Sequence, residues 1–244
     1  MRFLILVIVL ALLALPSQAG LADPEHLTIE NEGWILHGDR YNASGGVPVA
    51  MALLFHNAGA NRSDYRRFAK KLAANGITSI AVDLRGHGES TNLDTFDWKI
   101  RKNFEINKNT WKDVVATMKL VEADGDLEGL PLIFIGASYS GEKMAEAARN
   151  TTLPDLMIEF SPGSFSDASI AMIDPSDIPW LFIRAEKELP FFDPLFNAIR
   201  AGSKNAEIWR IAGEGHGTHI LNTRPELEDR VISWVNNKLI SVKN

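Results

Sequence analysis

Short, almost unbroken apolar runs recur along the chain and alternate with stretches of helical periodicity. Runs of this kind are typical of strands that are buried on both faces of a parallel sheet. They occupy residues 49–55, 77–82, 132–135, 156–160 and 180–183. Apolar side chains at helical spacing occur at residues 65–75, 111–123, 141–150 and 225–239. This order predicts an α/β fold, with a doubly wound and mostly parallel sheet that carries helices on both faces.

The remaining segments fit the same plan. Residues 27–29 and 34–38 predict an N-terminal β-hairpin, and residues 207–211 predict the last strand. Residues 89–109 have no strong period and are expected to be irregular. Since no repeat, linker or low-complexity tract interrupts the chain, residues 20–244 are expected to form a single domain.

The N-terminus has the layout of a secretory signal peptide. Arg2 precedes an apolar run over residues 3–15, and small residues follow before a break. Cleavage is expected after Ala19, so residues 1–19 are the signal peptide; cleavage after Ala22 also fits. The run is shorter than the roughly 18 residues of a membrane-spanning helix. We therefore expect a secreted or periplasmic protein with no stable membrane span after cleavage.

Composition excludes several kinds of site. The chain contains no cysteine, so a disulfide, a thiolate metal site and a cysteine nucleophile are all excluded. Its net charge of −6 disfavours binding to the phosphate backbone of nucleic acid. No cofactor is implied, and a small-molecule ester or amide is the expected partner; the sequence leaves the oligomeric state open.

A candidate nucleophile follows the strand predicted at residues 132–135. A serine on a sharp turn from strand to helix is exposed at the end of the strand, and its neighbours two residues away must be small. Ser138 meets this pattern in the segment Gly136-Ala137-Ser138-Tyr139-Ser140-Gly141. Ser140 is the weaker choice, because Glu142 would occupy its crowded position. The alternative role for Ser138 is an ordinary helix N-cap.

A serine nucleophile needs a base, and the base needs an acid that orients it. His216 lies between glycines in the loop after the last strand and is the candidate base; His219 is the alternative. A metal site built on both histidines is disfavoured, because the sequence shows no cluster of carboxylates near them. Glu188 follows the strand predicted at residues 180–183. The alternative acids are Glu186, Asp193 and Asp167. The order serine, acid, histidine is the order of α/β-hydrolases.

The developing negative charge on a carbonyl oxygen needs fixed N–H donors. The backbone N–H of Tyr139 and that of Ala58 or Asn57 are the candidates, because the loop at residues 56–60 follows the buried strand at residues 49–55.

Four motifs together resemble the α/β-hydrolase fold superfamily, over nearly all of residues 20–244. Residues 55–59 (FHNAG) resemble its H-G-x-G oxyanion loop with Asn57 in place of glycine, and residues 83–90 (DLRGHGES) resemble its D-x-R-G-x-G-x-S stretch. Residues 136–141 resemble the nucleophile elbow and residues 213–217 the histidine loop. Residues 185–188 (AEKE) resemble G-x-x-D, which implies that Glu188 is the acid.

The branch that the chain resembles contains serine aminopeptidases, monoglyceride lipases and small esterases. Residues 161–179 are too few for the helical cap that many such enzymes carry, so an open pocket is expected. The resemblance implies a serine hydrolase, and we expect a carboxylesterase that acts on small or medium esters through an acyl-enzyme. A peptidase or amidase with the same triad and a non-catalytic binding protein on this fold are the alternatives.

Overall fold

The computed structural model describes residues 23–97, 103–173, 178–191, 195–196, 199 and 204–242. The predicted signal peptide at residues 1–19 lies outside this part of the chain, so the expected cleavage stays a prediction. No helix within the described part is long and apolar enough to cross a membrane.

Eight strands form one sheet, which confirms the predicted fold class. The strands are β1 (Glu25–Asn31), β2 (Trp34–Tyr41), β3 (Ala50–Phe55), β4 (Ile77–Val82), β5 (Leu132–Ala137), β6 (Leu156–Phe160), β7 (Trp180–Ala185) and β8 (Ala206–Ile211). Their spatial order is β1-β2-β4-β3-β5-β6-β7-β8. The strand β2 is antiparallel to β1 and β4, and every other pair is parallel.

Helices pack on both faces of this sheet. They are α1 (Arg66–Ala74), α2 (Phe104–Asn109), α3 (Trp111–Glu122), α4 (Tyr139–Asn150), α5 (Asp167–Ile173), α6 (His219–Thr223) and α7 (Glu226–Val242). Apolar residues of α1 and α7 share one buried cluster with alternate strand residues such as Leu54. Those of α3 and α4 share a second cluster, on the face that holds Leu53 and Phe55.

Three of the helices named above were not predicted. The prediction that residues 89–109 are irregular is wrong at α2, and α5 and α6 were also missed. All three have five to seven residues, too few to show a helical period. Such short helices are stabilised by tertiary packing and not by the intrinsic helix propensity of their residues.

The sheet brings the candidate loops to one edge. In the parallel pair β3–β5, Phe55 lies opposite Gly136, so the loop that begins at His56 runs beside the turn at Ser138. The segments after β7 and β8 leave the same edge, because these strands are parallel to β5 through β6. Ligands of doubly wound sheets bind at this carboxyl edge.

Candidate active site

Ser138 occupies a strained turn between β5 and α4. Its φ of 57° and ψ of −116° lie in a region that residues other than glycine rarely adopt. The turn is held by Ser138 N–H, which donates to Phe160 at 2.9 Å, and by Gly163 N–H, which donates to the Ser138 carbonyl at 3.1 Å. Such a turn presents the hydroxyl beyond the end of the strand.

The turn is tight because small residues surround it. A Cβ atom on Gly136 would lie 2.5 Å from the Oε2 atom of Glu159, and one on Gly141 would lie 2.4 Å from its Cδ atom. The buried Glu159 side chain of β6 therefore occupies the space that both glycines leave open.

His216 bridges the candidate nucleophile and the candidate acid. Its Nε2 atom lies 2.8 Å from the Oγ atom of Ser138, and its Nδ1 atom lies 2.6 Å from the Oε1 atom of Glu188. An ionised carboxylate can only accept, so Nδ1 carries the proton and Nε2 is free to accept the serine hydroxyl proton. The imidazole side chain is 52% exposed, which leaves the site open to solvent.

Glu188 is held by two donors besides His216. The hydroxyl of Ser161 donates to its Oε2 atom at 2.8 Å, and the N–H of Ala185 donates to the same atom at 3.4 Å. Burial acts to raise the pKa of Glu188, but the hydrogen bonds from His216 and Ser161 and the nearby charge of Arg184 outweigh it, so its pKa is lowered. The carboxylate is therefore ionised at neutral pH.

Sequence reasoning missed Ser161. It has a φ of 50° and directly follows β6, as Ser138 follows β5. The only sequence signal for a role of Ser161 in the site was its position directly after a predicted strand, at the carboxyl edge of the sheet.

The rival residues do not join this arrangement. The Ser140 hydroxyl is buried and lies 2.8 Å from the carbonyl of Phe55 and 2.7 Å from the N–H of Ala137, so it ties β3 to the turn. His219 is exposed at the start of α6, and its N–H donates to the His216 carbonyl. Glu186 and Asp167 are exposed, whereas Asp193 lies outside the described residues.

Two backbone N–H groups remain for an oxyanion. No other described residue accepts a hydrogen bond from the N–H of Ala58 or from that of Tyr139. Tyr139 is the first residue of α4, so its N–H lies at the positive end of the helix dipole. The pairing of β3 with β5 brings the two loops side by side.

His56 supports the Ala58 loop from within the core. Its Nδ1 atom donates to the carbonyl of Asn57 at 2.8 Å, and its Nε2 atom accepts the N–H of Leu84 at 3.1 Å. Burial lowers the pKa of His56 to about 4, so this imidazole is neutral at neutral pH.

Residues 83–90 form a wall beside the nucleophile. The buried Asp83 carboxylate accepts the N–H groups of Arg62 at 2.7 Å and Glu89 at 2.9 Å. The His87 ring stacks on Phe96 at 4.5 Å and lies 5.8 Å from the ring of Tyr139. These ring contacts hold the Tyr139 side chain in place.

A pocket of about 460 Å³ opens next to Ser138. Its described lining residues are polar, charged, aromatic or glycine: Asn107, Lys108, Ser138, Tyr139, Glu142, Lys143, Gly163 and Ser164. The Glu142 carboxylate of this lining accepts the N–H of Ser166 at 3.0 Å and the hydroxyl of Ser169 at 3.1 Å. Within the described part of the chain, no group of three or more histidine or acidic side chains is arranged to hold a metal ion.

Comparison with known proteins identifies the family of the chain. A family model described as serine aminopeptidase, S33, matches residues 46–181, which is more than half of the chain. A search among curated proteins finds no match.

Solved structures share the fold. An α/β serine hydrolase homologue from Coxiella burnetii has a TM-score of 0.68 at 16% identity, over 87% of this chain and 97% of that chain. A serine hydrolase without a lid from Xanthomonas campestris has a TM-score of 0.63 at 18% identity, over 87% and 95%. Est1E from Butyrivibrio proteoclasticus with bound ferulic acid has a TM-score of 0.70 at 13% identity, over 88% and 99%.

Proposed function

The chain belongs to the serine aminopeptidase (S33) family of α/β hydrolases, and from that membership we propose that it hydrolyses carboxylic esters through an acyl-enzyme. The observation that carries the proposal is the position of His216, 2.8 Å from the Ser138 hydroxyl and 2.6 Å from the Glu188 carboxylate. Nucleophile, base and orienting acid are the parts that such a reaction needs.

Each residue has one role in the proposed reaction. Ser138 Oγ attacks the carbonyl carbon while His216 Nε2 takes its proton, and Glu188 stabilises the resulting imidazolium. The N–H groups of Ala58 and Tyr139 bind the oxyanion. His216 then gives the proton to the leaving alcohol. A water molecule attacks the acyl-enzyme while His216 takes its proton, and His216 passes that proton to the departing Ser138 oxygen as the carboxylic acid is released.

We propose short-chain acyl groups as the preferred substrates. The described lining of the pocket offers no aliphatic side chain to a long alkyl tail, so each added methylene gains little from burial. The ester is preferred over the amide because an alkoxide or phenolate leaves with less help from a proton.

Hydrolysis of p-nitrophenyl esters from acetate to decanoate tests both proposals. We expect activity that is highest for the short esters and falls on the order of 10⁴-fold or more in Ser138→Ala. Ser233→Ala, which removes an exposed hydroxyl of α7 that donates to the Asp229 carbonyl, is the matched control and should keep its activity. If folded wild-type protein neither hydrolyses the esters nor reacts with a fluorophosphonate, the serine hydrolase proposal fails and a binding role remains.

An aminopeptidase activity is the second candidate, favoured by the family description and by Glu142 in the pocket lining. A carboxylate there would pair with the α-ammonium group of a peptide. Aminoacyl p-nitroanilides distinguish the two: this candidate requires that they be cleaved faster than the esters and that Glu142→Gln raise their KM.

We also propose that residues 1–19 direct export. The test is the N-terminal sequence of the protein recovered from outside the cytoplasm. A start at Gly20 supports the predicted cleavage, and a retained Met1 contradicts it.

A further inference from the structure

Asn57 occupies a position where the oxyanion loop that the chain resembles has glycine. Its φ lies outside the left-handed region, so its own backbone conformation does not call for glycine there. The residue is half-buried, and its side chain turns toward the loop that carries His216.

The Asn57 carboxamide accepts hydrogen bonds from Thr218. Its Oδ1 atom lies 3.1 Å from the backbone N atom of Thr218 and 2.8 Å from its Oγ1 atom. Thr218 is buried and only two residues from His216. Its hydroxyl also lies 2.6 Å from an oxygen of Asp64, so that hydroxyl proton serves one acceptor at a time, whereas the N–H bond to Asn57 stays available throughout.

Close packing reinforces these hydrogen bonds. Gly217 has a φ of 57°, and a Cβ atom there would lie 2.6 Å from the Oδ1 atom of Asn57. The carboxamide therefore sits directly on bare backbone between His216 and Thr218. A partly buried contact of this kind resists displacement, because a small shift would either create a clash or weaken a hydrogen bond.

We propose that Asn57 is a positioning residue, which locks the oxyanion loop to the histidine loop and so sets the distance between the Ala58 N–H and the His216 imidazole. The inference rests on the proposed function, since those two groups act on the same reacting carbonyl. Acyl transfer depends on both at once, and a misplacement of about 1 Å costs on the order of 100-fold in rate. A glycine at position 57 has no side chain to make this link.

Asn57→Ala tests the role by separating turnover from binding and folding. We expect its kcat per fluorophosphonate-titrated site to fall about 10- to 100-fold with KM changed less than about threefold. Asn61→Ala is the matched control: it removes a carboxamide from the residue that directly follows the loop at residues 56–60, and the oxygen of that carboxamide accepts the Ser63 N–H at 3.0 Å. Its kcat per site should equal that of the wild type.

A conservative pair checks the same link from the other side. Thr218→Ser keeps both donors to Asn57 and should keep kcat, whereas Thr218→Val loses the hydroxyl and should lower it. Asn57→Ala should then lower kcat by a smaller factor in the Thr218→Val background than in the wild type.

The outcomes separate the two proposals. An active wild type with an equally active Asn57→Ala, counted per titrated site, overturns the role of Asn57 and leaves the esterase intact. Equal losses in Asn57→Ala and Asn61→Ala also overturn it, because they indicate a general effect on the loop. A wild type that neither hydrolyses esters nor is labelled overturns the proposed function itself, and the role of Asn57 with it.

Discussion

Replacing Glu159 by glutamine should remove a pH dependence from the stability of the fold. Glu159 is fully buried in β6, and neither of its carboxyl oxygens forms a hydrogen bond of regular geometry with a described residue. Burial raises the pKa of Glu159 well above its ordinary value of 4.5, and the charge of Arg184 and the N–H of Gly141 offset only part of this effect. The carboxyl is therefore protonated in the folded protein.

The sign and size of the effect follow from proton linkage. Between pH 4.5 and the raised pKa, the folded protein holds a proton that the unfolded chain has lost, so stability falls as pH rises. The slope is about 1.4 kcal/mol per pH unit for as long as the folded carboxyl stays protonated. Glutamine has nearly the same shape and does not titrate. The wild type should thus lose stability relative to Glu159→Gln between pH 5 and pH 7, by at most about 2.6 kcal/mol, which is the value for a folded carboxyl that stays protonated throughout.

Urea unfolding at pH 5, 6 and 7 measures this difference directly. The control is Glu32→Gln, because hydrogen bonding to Lys112 lowers the pKa of the Glu32 carboxyl in the folded protein, and the unfolded carboxyl, with its ordinary pKa of 4.5, is also mostly ionised over this range. That variant should show the same pH slope as the wild type. A constant difference between wild type and Glu159→Gln across the three pH values would refute the reasoning, because it would mean that Glu159 is ionised in the fold.

Two further substitutions separate chemistry from structure. Glu188→Gln should lower kcat about 10³- to 10⁴-fold, because a neutral amide can neither fix the tautomer of the His216 imidazole nor stabilise the charge of its protonated form. Ester hydrolysis measures this loss, and a similar loss in the exposed Glu186→Gln would contradict the prediction. Ser140→Ala should keep fluorophosphonate labelling but lower the free energy of unfolding by about 1–3 kcal/mol, since Ala137 N–H loses its buried partner; loss of labelling in folded Ser140→Ala would contradict it.

The buried strands made the fold predictable from sequence. Runs such as residues 77–82 are apolar on both faces because both faces of the sheet are covered, and the alternation with helices then fixes the architecture. Local pattern also singled out Ser138 and His216 as candidates, because each lies on a glycine-flanked loop at the end of a strand. The helix α2 was missed because six residues do not complete two helical turns.

Contacts between residues far apart in the sequence could not be predicted from the local pattern of apolar and polar residues. Asn57 and Thr218 are 161 positions apart, and Ser161 and Glu188 are 27 apart. Their pairing depends on which strands are neighbours and on where each loop turns, and neither is written in local spacing. Glu159 likewise gave no signal, because a carboxyl can interrupt an apolar strand at either a buried or an exposed position.

The order of the site residues along the chain means that Ser138 becomes reactive only late in folding. Its hydroxyl follows β5, the fifth strand, but His216 follows β8, the last one. The serine therefore gains its base only when the final strand has joined the sheet beside β7. A chain that stops before β8, or one whose last strand is still unpaired, would carry an inert alcohol at position 138. Labelling by a fluorophosphonate during refolding would therefore measure the fraction of molecules whose last strand has paired with the sheet. Compact molecules in which this strand is still unpaired would not be labelled.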